Sequence, residues 1–203
     1  MSRFGNLRKT LSTVRGRLRG FDAERFLVPG HPPVRWLLLG LLVLIADQFT
    51  KLLALYYLQP YQRIDLLPVL NFTLLFNKGA AFSMLAGASG WQQWLFVILA
   101  LVFSLAILVW LRRLPARGQA WLAAGLALIL GGALGNAVDR VWHGHVIDFI
   151  QVHWHDTWYF PTFNLADSAI TIGAIIAAAD ALFHRRPAKD NDTGETPQDR
   201  GEA

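Results

Sequence analysis

The chain of 203 residues contains no cysteine. No disulfide can staple it, and no thiolate metal site can form. Charge is also scarce: Asp, Glu, Lys and Arg make up 16% of the residues, against 54% hydrophobic. Mean hydropathy is +0.34, too apolar for an ordinary soluble domain of this size. There is no G-x-S-x-G to point to a serine nucleophile. There is no H-E-x-x-H to place two histidines on one helix face for zinc. The first thirty residues lack the apolar core of a cleavable signal peptide.

The chain does have four apolar blocks long enough to cross a bilayer. They run from about Trp36 to Leu58, Trp91 to Leu111, Trp121 to about Trp142, and Phe163 to Phe183. Backbone groups cannot face lipid unpaired, so these spans are expected to be helices. The sequence predicts one integral membrane, α-helical domain over residues 34–184. A basic segment, 1–33, precedes it and a polar tail, 185–203, follows.

The basic residues give an orientation. Eight of the nineteen Lys and Arg precede block one, three lie between blocks two and three, and four follow block four. The positive-inside rule then puts both termini and the Arg112–Gln119 loop in the cytoplasm. Segments 59–90 and 143–162 are extracytoplasmic. Tryptophans fall at the block ends, as an interfacial aromatic belt requires. The net charge of +5 and pI near 10 therefore report topology and anionic membrane lipid, not nucleic acid. Phe4, Leu7, Leu11, Val14, Leu18 and Phe21 recur at spacings of 3 and 4 among arginines, which predicts an amphipathic helix on the inner leaflet. The tail from Pro187 is polar and rich in turn formers, and disorder is expected there.

The outer connections carry their own pattern. Leu70, Phe72, Leu74 and Phe76 alternate with Asn71, Thr73 and Leu75, which is strand periodicity. Asn77-Lys78-Gly79 reads as a turn, residues 80–86 as a short interfacial helix, and Val146–Val152 as a second short strand. Some β structure is expected to cap the outer face.

Polar groups inside the blocks are few and therefore informative. Asp47 and Lys51 are four apart on one helix face, and pairing is expected to offset their burial in lipid. Block three ends in Gly131-Gly132-Ala133-Leu134-Gly135-Asn136-Ala137-Val138-Asp139-Arg140. Its glycines permit close helix packing, and Asn136, Asp139 and Arg140 make its outer end polar. In block four, Asn164, Asp167, Ser168 and Thr171 share one face over the outer two turns. That predicts a water-accessible pocket there, not a channel. Asp180, near the cytoplasmic end, reads as an interfacial residue close to Arg185.

Asp148 lies just outside block three and Asp167 about one turn inside block four. Carboxylates at a membrane edge are costly and usually functional. Two at close range share a proton, and such a pair can activate water. Three chemistries remain open on the residues alone. One is aspartic-protease hydrolysis by this pair. Another is a proton- or ion-coupled transporter using Asp47, Lys51, Asp139 and Asp167. The third is a metal site built on His143, His145, His153 and His155, although a loop of interfacial histidines accounts for those pairs more simply.

Five blocks, in order, resemble the bacterial lipoprotein signal peptidases, or signal peptidase II. They are Asp47-Gln48-Phe49-Thr50-Lys51; Phe76-Asn77-Lys78-Gly79-Ala80-Ala81-Phe82; Gly131-Gly132 through Gly135-Asn136 to Asp139-Arg140; Val146-Ile147-Asp148-Phe149; and Phe163-Asn164-Leu165-Ala166-Asp167-Ser168. The resemblance covers roughly three-quarters of the chain and does not clearly include the basic N-terminal segment. It implies four transmembrane helices with a small extracytoplasmic β-cradle and a short interfacial helix. It implies an aspartic endopeptidase of the cell inner membrane with Asp148 and Asp167 as the catalytic pair. Asp47, Lys51, Asn77, Asn136, Asp139, Arg140 and Asn164 then fall on its supporting, substrate-binding positions. The implied substrate is a diacylglyceryl-modified prolipoprotein, cleaved just before its lipidated cysteine. No metal or organic cofactor is implied, and a monomer is expected.

Overall fold

The computed structural model describes residues 32–79, 90–115, 118–155 and 157–183. The expected N-terminal amphipathic helix, the interfacial helix over 80–86 and the polar tail lie outside the described residues. Four long helices follow the four apolar blocks: α1 Pro32–Tyr57, α2 Trp91–Arg113, α3 Ala120–His143 and α4 Leu165–Phe183. All four are long and apolar enough to cross a membrane. Their exposed sides are leucine, isoleucine, valine and phenylalanine, such as Leu38, Leu42, Ile98, Phe103 and Ile175. Trp91, Trp94, Trp110, Trp121 and Trp142 stand exposed near the helix ends, where amphipathic rings meet the headgroup layer.

Helix α3 is the axis of the bundle. It packs against α1, α2 and α4, while α2 touches little else. Small residues bring the backbones together. A side-chain carbon on Gly132 would sit 2.5 Å from the Ala166 carbonyl oxygen of α4. One on Gly125 would sit 2.7 Å from the Gly173 carbonyl oxygen. Without a hydrophobic driving force between helices in lipid, this close packing supplies the contact energy. Gly132→Val is accordingly expected to overpack the α3–α4 seam by roughly 1–3 kcal/mol. The check is the melting midpoint of the detergent-solubilised protein; an unchanged midpoint would mean the seam yields.

One end of the bundle carries a four-stranded antiparallel sheet in the order β1-β2-β3-β4. The strands are β1 Arg63–Leu67, β2 Leu70–Asn77, β3 Val146–Trp154 and β4 Trp158–Tyr159. The alternation in β2 and the short apolar run of β3 were readable in the sequence. The edge strands β1 and β4 were not, because each is short and open to solvent along its length. A register irregularity between Phe72 and Leu75 on β2 sets Leu75 opposite Asp148. The sheet sits on the helices through Ala54, Leu58, Leu74, Ile147 and Phe149.

One expectation needs correction. Asn164 does not belong to the fourth helix; it precedes the helix and caps it. Asp180, in the last turn of that helix, is buried within the protein.

Candidate active site

Asp148 comes from the middle of β3 and Asp167 from the first turn of α4. Both line one cavity of about 1070 Å³, with Leu75, Phe76, Asn77 and Gln151 on the sheet side. Phe160, Pro161, Phe163, Ile170 and Ile172 make the rest of the cavity largely apolar. Asp148 is 1% exposed at its inner end, and Asp167 is half-buried.

Three asparagines hold the carboxylates. Asn164 Nδ2 donates to Asp148 Oδ1 at 2.7 Å, and Asn77 Nδ2 donates to Asp148 Oδ2 at 3.1 Å. Asn136 Nδ2 donates to Asp167 Oδ1 at 2.7 Å. None of these amides is free to flip. Asn77 Oδ1 accepts from Gly79 N at 3.0 Å, closing the turn that the sequence predicted. Asn164 Oδ1 accepts from Asp167 N at 2.9 Å, and Asn164 N in turn donates to Asp167 Oδ2 at 3.3 Å. This reciprocal pair is a capping box, in which residues three apart satisfy each other's backbone donors at a helix start. Asp167 therefore belongs to both the helix cap and the cavity wall.

Behind the asparagines lies a buried charge cluster. Lys51 Nζ contacts Asp47 Oδ2 at 2.7 Å, Asp139 Oδ2 at 2.8 Å and Asn136 Oδ1 at 3.0 Å. Those three acceptors match the three protons of an ammonium group. The expected Asp47–Lys51 pair is present, and Asp139 of α3 joins it. Asp47 Oδ1 accepts from Ala166 N at 2.9 Å, and Asp139 Oδ2 from Ile147 N at 3.1 Å. The cluster thus ties α1 to α3, to the start of α4 and to the strand bearing Asp148. It also fixes the Asn136 amide: with Oδ1 turned to Lys51, its NH₂ must face Asp167.

Gln48 belongs to this cluster and was not among the expected site residues. Its Nε2 donates to Asp139 Oδ1 at 2.9 Å and lies 3.2 Å from the Gly135 carbonyl oxygen. Its position next to Asp47 in block one was the available signal. Arg140 stands at the edge. Its Nη1 donates to the Asn136 carbonyl oxygen at 3.2 Å, and its guanidinium lies 4.9 Å over the Phe96 ring.

Electrostatics acts strongly on Asp148. Burial, and then the neighbouring Asp167 charge, push the Asp148 carboxyl up to about 7, against the hydrogen bonds from Asn77 and Asn164. A carboxyl that holds its proton to neutral pH can act as an acid. The histidines are otherwise engaged. His153 stacks on Tyr159, His155 meets Trp154 edge-on, and His145 packs on Phe76. Among the described residues, no three His, Cys, Asp or Glu side chains are grouped to hold a metal ion.

Residues 39–183 match the family model described as signal peptidase (SPase) II. The chain belongs to the signal peptidase II family. It is 53% identical over 166 residues to the lipoprotein signal peptidase of Pseudomonas aeruginosa strain PAO1, covering 81% of this chain and 95% of that protein. It is 52% identical over 170 residues to the lipoprotein signal peptidase of Ectopseudomonas mendocina, covering 83% and 97%. A solved structure described as a bacterial membrane enzyme aligns with TM-score 0.64 and 32% identity, over 73% of this chain and 87% of that one. The four apolar helices and small antiparallel sheet are thus a signal peptidase II fold, and the chain is a membrane peptidase. The cavity and its paired aspartates lie within the span that the family model matches.

Proposed function

We propose that this chain is an aspartic endopeptidase that removes the signal peptide from diacylglyceryl-modified prolipoproteins, cutting just before the lipidated cysteine. The observation that carries this reading is the joint lining of one cavity by Asp148 and Asp167, each held by asparagine amides of fixed orientation. The cavity's mixed wall supports the substrate class. Apolar residues such as Ile170 and Ile172 lie on a helix able to span the membrane, and the carboxyl groups lie at its outer end. A lipid chain can stay in the bilayer while the scissile peptide meets water.

In this mechanism the pair begins with one proton, carried by Asp148. Asp167 takes a proton from a water molecule, whose oxygen attacks the scissile carbonyl carbon. Asp148 gives its proton to the carbonyl oxygen, leaving a neutral gem-diol. Asp148 then takes a proton back from one diol hydroxyl as the carbonyl re-forms. Asp167 gives its proton to the amide nitrogen as the C–N bond breaks. The products are a signal peptide acid and a free cysteine amine, and both carboxyl groups return to their starting states. Arg140 lies close enough for its charge to act on Asp167 and Asp148, and it steadies the ionised form.

The chain works in the bacterial inner membrane with both termini in the cytoplasm, the site at the outer face, and one subunit sufficient. The basic segment 1–33 and the tail 185–203 lie outside the catalytic unit.

The test uses purified protein and a lipidated precursor, with the products read by mass spectrometry. The expected product begins with the lipid-bearing cysteine. Activity is expected to persist in EDTA and in His153→Ala. Cleavage elsewhere, or chelator-sensitive cleavage, would overturn the proposal.

A further inference from the structure

Helix α2 has no established place in this site. It packs on α3 and presents mostly lipid-facing apolar residues. Its outer end is different. Phe96 is half-buried and turned to α3, with its ring under the Arg140 guanidinium at 4.9 Å. Arg140 itself is loosely held. It has one hydrogen bond, to the carbonyl oxygen of Asn136 one turn back, and its buried Nε has no partner among the described residues. No carboxylate forms an ion pair with it among the described residues. The charges that reach it are Asp139 on its own helix, Asp148 from β3 and Asp167 from α4. Lys51 of α1 is a cation that acts on Asp148. A guanidinium with three carboxylates in reach and paired with none must be held by something else. The face of an aromatic ring attracts a cation without neutralising it.

We propose that Phe96 is a positioning residue that holds the Arg140 charge beside the aspartate pair. The inference rests on the reading of Asp148 and Asp167 as the catalytic pair. The ring keeps the guanidinium within electrostatic reach of both carboxyl groups. It also stops the guanidinium from collapsing into an ion pair with either of them. Helix α2 thereby contributes to catalysis through a side chain that is not part of the cavity wall.

The experiment compares wild type, Phe96→Leu, Phe96→Tyr and Asp148→Asn on a lipidated precursor across pH. Phe96→Leu keeps an apolar side chain and removes the ring. It is expected to lower kcat/KM by about threefold to thirtyfold, the span of a cation–π contact. Its alkaline limb should move to higher pH, because a carboxyl farther from a positive charge ionises less readily. Phe96→Tyr keeps the ring face and should restore both. The limb position does not depend on how much enzyme folds, so a packing defect alone cannot move it. Unchanged activity in Phe96→Leu would overturn the proposal. So would a limb that stays in place, or a Phe96→Tyr as impaired as Phe96→Leu. Full activity in Asp148→Asn would instead sink the catalytic pair itself.

Discussion

Asp148→Asn and Asp167→Asn, made separately, are each expected to lower precursor processing by about 10²–10⁴-fold, the contribution of a positioned acid or base. An amide at position 167 can neither take the proton from water nor return one to the leaving nitrogen, and an amide at position 148 cannot give a proton to the carbonyl oxygen. The surrounding asparagines offer no substitute, because each is turned by a second bond. Asn77 is held by Gly79, Asn164 by the backbone of Asp167, and Asn136 by Lys51. The wild-type pH profile supplies an independent check. Asp148 holds its proton up to about 7. The active pair has one proton, so activity should fall as pH rises through about 7, where both groups ionise and no acid remains for the carbonyl oxygen. Single-turnover cleavage by reconstituted variants would decide the matter. A variant that keeps more than a tenth of wild-type activity, or a profile flat through neutrality, would count against the pair.

Lys51→Met is expected to produce the largest stability loss of any single change in the bundle. Lys51 is 1% exposed, with Asp47 at 0% and Asp139 at 1%. Removing one cation from that set leaves two buried carboxylates facing each other without compensation. Breaking a buried pair from one side typically costs about 3–5 kcal/mol. The uncompensated charge, not the missing packing, is the cause. The triple variant Lys51→Met, Asp47→Asn, Asp139→Asn should therefore regain much of the loss. Melting midpoints in detergent test both statements. If the triple variant melts no higher than Lys51→Met, charge is not what the lysine balances. Processing should stay low even in the regained fold, because the Asn136 amide loses the partner that turns its NH₂ toward Asp167.

The helices were legible because a membrane span leaves a long, unmistakable apolar record. The central strands were legible from alternation at Leu70–Phe76 and from the short apolar run around Asp148. The edge strands were not, since five exposed residues at 63–67 have no buried face to set a pattern. Within the site, residue identities were visible and the wiring was not. Asp47 and Lys51 could be paired by spacing alone. That Asp139 would join them, and that backbone amides of Ile147 and Ala166 would close the cluster, depends on how three distant segments meet. Asn164 looked like one more polar residue of a helical stripe. The side chain's bond to Asp167 N moved it outside the helix and made it a cap. Phe96 carried no signal, because one phenylalanine in an apolar helix looks like any other lipid-facing residue.

The lysine cluster also bears on assembly. Helices enter a bilayer largely one at a time and associate afterwards. Asp47 and Lys51, one turn apart, let α1 enter with its charges already neutralised. Only when α1 meets α3 does Lys51 reach Asp139 and turn Asn136. Only then does the Asn136 amide reach Asp167 Oδ1, adding to the local hold of Asn164 N on Oδ2. On the proposed mechanism, a freshly inserted, half-gathered chain therefore has its aspartates without the lysine-bound asparagine that faces Asp167, a contact that forms only when α1, α3 and α4 have come together.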